Sequence, residues 1–431
     1  MQSSNSIEKY KDIVLWGCLH NLSYDAQCEG TRAYYIYKLT SYFKDDNYFL
    51  TPTIEAFEKL PYHSYWLFSH LCELLRNFAE NGNDVAKDAL QSKYNYLLSV
   101  LLHKRRFGRY DFERDNFERI CLAMYSIGGI EGLLKIADDM GRLFKENPHY
   151  TGDDFDWFCS TMDHEIGEKM LNAILKRESK KSENVRCFYE SYLKSIEETR
   201  KIIKKTIRVP STEEIKNEVI SYGKLSPASR VRFSRRAENE EKMKIAEEAI
   251  AETNLNVKAE LLSVFAFRDE NFPLSHEIII EYSKTSHERL SEVALDVLTN
   301  CQSDVARKYA IELLREQKHQ SYALQMLLCN YSPSIKALVL SELYKLKVNY
   351  KNDSDWHGIG SKILNACDRN IRLPKEFYIY IYNTTLCSCC REYSVRALSK
   401  CRLLTRDIIE ECRYDSNYDI SRFVNRYYPT V

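Results

Sequence analysis

Two carboxylates and a guanidinium near the start of the chain form the first group that could do chemistry. Asp25, Glu29 and Arg32 stand at positions i, i+4 and i+7, so a helix predicted over about 25–42 would place them on one face. Paired carboxylates can divide the roles of general acid and general base, or hold a divalent metal ion. No histidine or second acidic cluster completes the set. The spacing therefore favours a structural ladder of charges that joins neighbouring helices.

The densest group of potential metal ligands consists of Cys387, Cys389, Cys390, Cys401 and Cys412. A structural zinc site needs four thiolate or imidazole ligands, usually supplied as C-x₂₋₄-C pairs held in a turn. The pattern C-x-C-C, with single cysteines further along, does not match that spacing well. In a helix, moreover, Cys389 and Cys390 would point about 100° apart. We therefore interpret the group as small core side chains and expect neither a metal nor a cofactor.

The motifs of the common catalytic and nucleotide-binding sites are missing. The ten histidines form no H-E-x-x-H pair, so the sequence does not indicate a metalloprotease. It also contains no G-x-x-x-x-G-K-[ST], no G-x-G-x-x-G and no G-x-S-x-G, which leaves nucleotide binding and hydrolase chemistry without support. We expect that the protein is not an enzyme.

Basic residues gather at three places and could bind a phosphate backbone if they lined one groove. The 62 lysines and arginines are balanced by 62 aspartates and glutamates, so the chain lacks the basic excess typical of nucleic-acid-binding proteins. Positive charge at the C-terminal end of a helix is also ordinary, because it complements the helix dipole. Nucleic-acid binding is therefore the alternative function rather than the first. The residues that would serve it are Arg105, Arg106, Arg109, Lys204, Lys205, Arg232, Arg235 and Arg236.

The elements that must position these side chains are short helices with a repeating apolar pattern. Helices that repeat one pattern cannot each bury a face alone, so they stack. With 13 glycines and 9 prolines in 431 residues, the chain also has few of the residues that sharp strand connections need. We predict an all-α fold, an α–α superhelix of roughly ten helix pairs. The pattern is a large apolar residue at i, i+4 and i+8, as in Val257/Leu261/Phe265, Leu290/Ala294/Leu298, Ile335/Val339/Leu343, Tyr393/Ala397/Cys401 and Ile420/Val424/Tyr428.

Proline and glycine signals divide the chain near its middle. An amphipathic helix over about 185–207 must stop before Pro210, because the residue before proline avoids the helical region. Ser211 then opens a capping box with Glu214, and Gly223 is placed to end the helix that follows. We therefore predict irregular helical repeats over 1–208, a join over 209–227 and regular repeats over 228–431.

The regular repeats have the residue pattern of a known family. Helices there open with a polar or acidic residue, an aliphatic residue and often a base, as in Asn256-Val257-Lys258, Ser334-Ile335-Lys336 and Asp419-Ile420-Ser421-Arg422. In this respect residues 240–431 resemble the HEAT-repeat family, although Ser291 stands where a base is expected. The segment 24–35 is similar to the opening of bacterial HEAT-like proteins without an assigned activity. The resemblance implies a helical solenoid that presents a long binding surface.

The function predicted from these features is that of a non-catalytic scaffold that binds other proteins. The 31 tyrosines suit this role, because tyrosine supplies a large contact area at a small entropic cost. The resemblance also implies an alternative, a DNA-binding HEAT-like protein such as an alkylpurine DNA glycosylase. Such an enzyme holds damaged DNA in a basic concave groove with aromatic residues beside an acidic one, a part that Asp156-Trp157 could take.

Two observations bear on the compartment. The N-terminal segment mixes acids and bases and lacks the apolar core of a signal peptide. The longest stretch without Asp, Glu, Lys or Arg, at 319–335, is shorter than the roughly 20 residues of a spanning helix. We therefore expect a cytoplasmic protein with no membrane span.

Overall fold

The fold is all-α and divides into two compact units. Every regular element of the described residues is helical, and no strand forms among them, as predicted. The first unit, here the N-terminal unit, contains residues 1–203 and 410–431, and the C-terminal unit contains 204–409. The computed structural model describes residues 7–61, 63–104, 111–206, 208–267, 271–345, 354–366 and 373–429.

The first ten α-helices lead from the N-terminus to the end of the N-terminal unit. Short 3₁₀ turns at Glu8–Tyr10 and Gly152–Phe155 and a π-helical turn at Asp163–Gly167 interrupt the series. The helices are α1 (Lys11–Cys18), α2 (Ala26–Glu29), α3 (Ala33–Thr40), α4 (Asp46–Lys59), α5 (Tyr65–Glu80), α6 (Asp84–His103), α7 (Phe112–Glu146), α8 (Asp156–Met162), α9 (Glu168–Glu178) and α10 (Glu183–Thr206).

Of the remaining helices, α11 to α22 belong to the C-terminal unit, α23 spans the boundary at residue 410, and α24 lies in the N-terminal unit. They are α11 (Thr212–Tyr222), α12 (Pro227–Arg236), α13 (Asn239–Ala251), α14 (Leu255–Leu262), α15 (His276–Ser283), α16 (Glu288–Leu298), α17 (Asp304–Arg315), α18 (Gln320–Cys329), α19 (Lys336–Lys345), α20 (Ser354–Asn365), α21 (Lys375–Thr384), α22 (Ser388–Lys400), α23 (Arg406–Cys412) and α24 (Tyr418–Tyr427). Two short 3₁₀ turns, Ser263–Phe265 and Pro333–Ile335, adjoin α14 and α19.

Helix α5 is the centre of the N-terminal unit. It contacts α3, α4, α6 and α7. Phe68, Leu71, Leu75 and Phe78 of α5 are all buried. A helix that is apolar over most of its circumference can be stable only when neighbours cover several of its sides. The apolar composition of α5 therefore explains its central position.

The helix predicted over 25–42 is wrong, because the chain breaks at Gly30. Gly30 has a φ of 76°, a left-handed conformation that glycine adopts at little cost, and it ends α2 after Glu29. Asp25 caps α2 by accepting two backbone N–H bonds. Arg32 precedes α3 and forms a buried ion pair with Glu29 at 2.9 Å. The three charged residues therefore act as one cap and one ion pair, not as a ladder on a single helix.

Helices of the C-terminal unit stack as hairpins. The pairs α13/α14, α15/α16, α17/α18 and α21/α22 pack side by side, and one layer runs through α14, α16, α18, α20 and α22, each in contact with the next. One continuous apolar core joins these helices. This arrangement confirms the prediction of stacked helical repeats, because each hairpin covers an apolar face that its neighbour could not bury alone.

The apolar pattern located the core correctly in four of its five instances and failed in α22. Leu290, Ala294 and Leu298 are fully buried, whereas Tyr393 is 60% exposed. Helix α22 instead buries Ser394, Val395 and Leu398. Val395 and Leu398 have no polar atom to desolvate, and the hydroxyl of buried Ser394 donates to the carbonyl of Tyr378. The predicted core face is therefore wrong at Tyr393 and Cys401, which are exposed, and right at Ala397, which is buried.

The join between the predicted halves forms as the local signals indicate. Helix α10 ends at Thr206, ahead of the proline. Ser211 and Glu214 make both hydrogen bonds of the capping box, and Gly223 ends α11 with a φ of 70°. The compact units nevertheless differ from the predicted division at the end of the chain. Residues 410–431, predicted within the C-terminal repeats, group with the N-terminal unit.

One helix of the described ranges, α7, is long and apolar enough to cross a membrane by length and composition alone. Its backbone leaves the helical conformation at Gly129, where φ is 56° and ψ is −138°. Its side chains Phe117, Ile120 and Met140 are buried, and the helix contacts α5 and α6. Because 33% of its apolar window is buried in the fold and α7 is the single such helix of the described residues, it is weak evidence for a membrane span.

Gly141 of α7 lies directly against the backbone of Asn184 in α10, and we expect Gly141→Ala to be destabilising. An added Cβ would lie 1.9 Å from the carbonyl oxygen of Asn184, so the two helices would have to separate. Overpacking of this kind costs about 1–3 kcal/mol, which urea unfolding followed by circular dichroism can measure. Gly128→Ala is the control, because its Cβ would meet nothing within 4 Å. Equal unfolding midpoints for the two variants would contradict the expectation.

Candidate functional site

A pocket of about 370 Å³ in the N-terminal unit is the candidate site. Helix α3 and the residues on both sides of it form one wall, and the segment leading into α24 forms the other with the first turn of that helix. Both walls are rich in aromatic side chains. We call it the tyrosine pocket, after the residues Tyr34, Tyr35, Tyr42, Tyr414 and Tyr418 that line it.

The periodicity of α3 explains the first wall. Tyr34, Lys38 and Tyr42 stand at i, i+4 and i+8, so a helix and its final turn carry them on one side. Ala33 and Ile36 of the same helix are buried, which fixes the direction of the exposed side. Tyr34 is 44% and Tyr42 66% exposed. The α3 sequence therefore presents an aromatic stripe outward because its small and aliphatic residues face the core.

The second wall depends on how the chain enters α24. Asn417 caps α24 by accepting the backbone N–H of Asp419, and Asp415 accepts the backbone N–H of Asn417. These bonds hold the turn that carries Tyr414 and Tyr418, which are 76% and 53% exposed. The buried residues of α24 lie on its other side. Local capping thus positions two further tyrosines at the pocket.

An aromatic contact joins the two walls. The rings of Tyr34 and Tyr418 meet edge to face, with centroids 5.7 Å apart and planes at 85°. Such pairs contribute about 0.5–1.5 kcal/mol beyond the burial of their area. Residues almost 400 positions apart in sequence therefore form one surface within the N-terminal unit.

Charges within the tyrosine pocket are nearly balanced. Burial and the carboxylate of Asp415 raise the pKa of Tyr35, so its hydroxyl stays neutral at physiological pH. Lys38 lies 4.5 Å from the centroid of the Tyr34 ring, a cation–π distance. The pocket lining contains neither histidine nor cysteine. Its arrangement can supply aromatic contacts and hydrogen bonds to a bound segment.

A second pocket, of about 450 Å³, contains the residues that the DNA-binding alternative invoked. Asp156 and Trp157 line it together with Asp163 and Glu168. Asp156 accepts a hydrogen bond from a serine hydroxyl, and Asp163 accepts one from Tyr192 at 2.5 Å. These carboxylates therefore tie α8 and the π-helical turn to α10. A wall with three acidic residues repels phosphate groups, so the pocket offers DNA binding little support.

Trp157 of the second pocket is held by a neighbouring cation. The guanidinium of Arg119 lies 4.1 Å from the centroid of its ring, and the Nε of Arg119 donates to the hydroxyl of Tyr65 at 2.9 Å. Beside it, Glu118 is buried and accepts the backbone N–H of Phe158. Burial raises the pKa of Glu118 to about 7. A carboxyl group that titrates near neutral pH therefore lies close behind this pocket.

The structure describes only part of the basic set. Arg105, Arg106 and Arg109 lie outside the described residues. Lys204 and Lys205 belong to the last turn of α10, where the structure defines the backbone only. On α12, Arg235 and Arg236 are exposed in the last turn, and Arg232 donates from Nε to the carbonyl of Ala228. Arg235 and Arg236 thus complement the helix dipole at the end of α12, whereas Arg232 bonds to the backbone within the helix.

A cluster of side chains that could bind a metal in the C-terminal unit includes a histidine that sequence reasoning missed. Cys387 precedes α22 and accepts the backbone N–H of Cys390 at 3.5 Å. The Sγ of Cys390 lies 3.4 Å from the Nδ1 of His357 on α20. The relevant signal is the spacing Cys387-x-x-Cys390, which the intervening Cys389 obscures. The histidine comes 33 residues before Cys390, so no local motif includes it.

Comparison of the chain with protein-family models, with curated proteins and with solved structures gives no match. The geometry of the tyrosine pocket and of the histidine–cysteine cluster is therefore the basis for any statement about function.

Proposed function

We propose that the protein is a non-catalytic helical-repeat scaffold that binds another protein, with the tyrosine pocket as its main contact site. The observation that carries the proposal is the convergence of five tyrosines on one pocket. Four of them, Tyr34, Tyr42, Tyr414 and Tyr418, are among the exposed large side chains. Exposed aromatic residues gathered in one place mark interaction sites far more often than scattered ones do.

The physical properties of the pocket support a protein partner. Tyrosine is enriched at the energetic centres of protein interfaces, because it has few rotatable bonds and combines an apolar ring with a polar tip. A volume of about 370 Å³ accommodates a few side chains of a partner segment. The nearly balanced charge of the lining favours neither a polyanion nor a polycation. A partner segment with apolar or aromatic anchors fits these properties best.

Membership of the HEAT-repeat family and a cytoplasmic location are further parts of this proposal. The layer of stacked second helices, α14 to α22, supports the HEAT likeness. Cysteines used as buried core residues, such as Cys72, Cys121 and Cys301, support a reducing compartment. Neither point depends on the identity of the partner.

The test is capture of the partner by the full chain and its loss when the pocket is altered. Tagged protein from the native host is isolated with its bound partners, which mass spectrometry then identifies and quantifies. Combining Tyr34→Ala with Tyr418→Ala should reduce the retained partner at least tenfold, or about 1.4 kcal/mol, the scale of an interface hot spot. Circular dichroism checks that the variant is folded.

Tyr222→Ala is the matched control. Tyr222 is 76% exposed on α11 of the C-terminal unit and is not part of the pocket lining. Its replacement should leave the set and amount of retained proteins unchanged. Equal retention by the pocket variant and the control would contradict the proposal, as would salt-sensitive capture of nucleic acid in place of a protein.

A further inference from the structure

Helices α20 and α22 of the C-terminal unit bring together an imidazole and two thiols. The ligand atoms of His357, Cys387 and Cys390 all lie within 4.8 Å of one another. Cys387 is buried, and Cys390 and His357 are half-buried. We infer that these three residues form a binding site for a divalent zinc-like cation.

The local structure of α22 positions the two thiols. Cys387 is the N-cap residue and Cys390 lies in the first turn, so the C-x₂-C spacing places both sulfurs at the start of one helix. The same C-x₂-C spacing is common in zinc sites. The N-terminal end of a helix carries a partial positive charge, which stabilises thiolates.

The distances agree with tetrahedral coordination. Bond lengths of about 2.3 Å for Zn–S and about 2.1 Å for Zn–N place tetrahedral ligand atoms about 3.6–3.8 Å apart. The Nδ1 of His357 is 3.4 Å from the Sγ of Cys390, close to that spacing. The remaining separations between ligand atoms do not exceed 4.8 Å. Side-chain rotations that move the ligand atoms by about 1 Å would bring them to the tetrahedral spacing.

The ligand types select the metal. Thiolate and imidazole are soft or borderline ligands that suit zinc, whereas magnesium and calcium require oxygen. On binding, each thiol loses its proton to solvent, so two protons leave and two thiolates neutralise the charge of the cation. His357 binds through Nδ1 and keeps its proton on Nε2. Water completes the coordination to four, as in zinc sites with three protein ligands.

Metal binding would also affect stability. Helices α20 and α22 contact each other in the stacked layer, and a bound cation would crosslink them through its coordinate bonds to the ligands. A ligand that binds only the folded state raises the unfolding temperature in proportion to the logarithm of its concentration. The cation would therefore stabilise the contact between α20 and α22.

The experiment uses the full chain, stripped of metal with a chelator under reducing conditions and titrated with Zn²⁺ or Co²⁺. We expect one equivalent of zinc by elemental analysis. Bound cobalt should show the visible bands of a tetrahedral site and an intense thiolate-to-metal charge-transfer band. Cys387→Ser or Cys390→Ser should weaken binding at least about a hundredfold, and His357→Gln about tenfold or more, since even lost outer hydrogen-bond partners cost ten- to hundredfold.

Cys401→Ser is the matched control, because Cys401 is exposed at the opposite end of α22. It should bind both metals as the wild type does. The titration of the unaltered protein is decisive even where a variant fails to fold. Absence of the charge-transfer band would overturn the inference. So would unchanged affinity in the folded Cys387 and Cys390 variants, or a protein isolated without metal whose Cys387 and Cys390 are joined in a disulfide.

Discussion

Glu260→Gln is expected to lower the free energy of unfolding by about 3 kcal/mol at pH 7, the scale for breaking a buried ion pair. The carboxylate is buried on α14 and accepts from Arg230 at 3.0 Å and from Arg289 at 2.9 Å. It also accepts the backbone N–H of Leu225 at 3.1 Å. A neutral amide would leave two guanidinium groups facing each other without a counter-charge, so α12, α14 and α16 would lose a shared anchor.

The effect of this substitution should depend on pH in one direction. Burial alone would raise the pKa of Glu260, but the Leu225 N–H and the two arginines together lower it below 4.5. A carboxyl whose pKa is lower in the folded state adds stability above its unfolded-state pKa. That stability is lost as the pH falls through the folded-state value. The difference between wild type and Glu260→Gln should therefore shrink below pH 4.5.

Glu248→Gln provides the matched control for Glu260. Glu248 pairs with Lys216 at 2.6 Å, but about a third of each side chain is exposed. Pairs with this degree of exposure contribute less than about 1 kcal/mol, because water screens them. Urea unfolding of both variants at pH 7 and pH 4 gives the comparison. A loss at Glu260 no larger than that at Glu248 would contradict the prediction.

Glu118→Gln should have the opposite effect, stabilising the protein by about 3 kcal/mol at pH 8. Burial raises the pKa of Glu118 from 4.5 to about 7, although Arg114 and Arg119 partly offset it. Because the pKa of Glu118 is higher in the folded state, the contribution of this group to the free energy of unfolding is fully present below pH 4.5. That contribution is lost as the pH rises to about 7. Glutamine avoids this loss because it stays neutral, and its Oε1 can still accept the Phe158 N–H.

The measurement is the difference in unfolding free energy between wild type and Glu118→Gln from pH 4.5 to pH 8. It should be small at the acid end and grow steadily to its full value above pH 7. Glu131→Gln serves as control, since Glu131 is exposed on the same helix, and it should change stability by less than about 0.5 kcal/mol throughout. A difference for Glu118→Gln that does not vary with pH would refute the raised pKa.

Glu118 and Glu260 illustrate what a sequence leaves open. Both are glutamates within helices of ordinary composition, and nothing in their local sequence separates them. The partners of Glu260 come from residues about 30 positions away on either side, and Glu118 is covered by a segment 40 positions later. The sign of each group's effect on stability therefore depends on neighbours that only the folded chain supplies.

Sequence signals that act within a few residues predicted the local structure correctly. The capping box at Ser211, the glycine stop at Gly223 and the helix end before Pro210 all form as predicted, because caps and backbone restrictions operate within one turn. The apolar period correctly indicated stacked helices, since it reports which face must be covered. It failed at Tyr393, which is exposed although Ala397 of the same predicted face is buried.

By itself, then, the sequence determined the helical class, the helix ends around the join at 209–227 and the stacking of the hairpins, all of which follow from local propensity and from the burial of one face per helix. Only the tertiary structure decided the sites. Tyr34 contacts Tyr418 although most of the sequence separates them, and His357 of α20 contacts Cys390 of α22 although they are 33 residues apart. Such pairings leave no periodic trace in a sequence, because they depend on where a stack of helices brings its surfaces together rather than on any spacing along the chain.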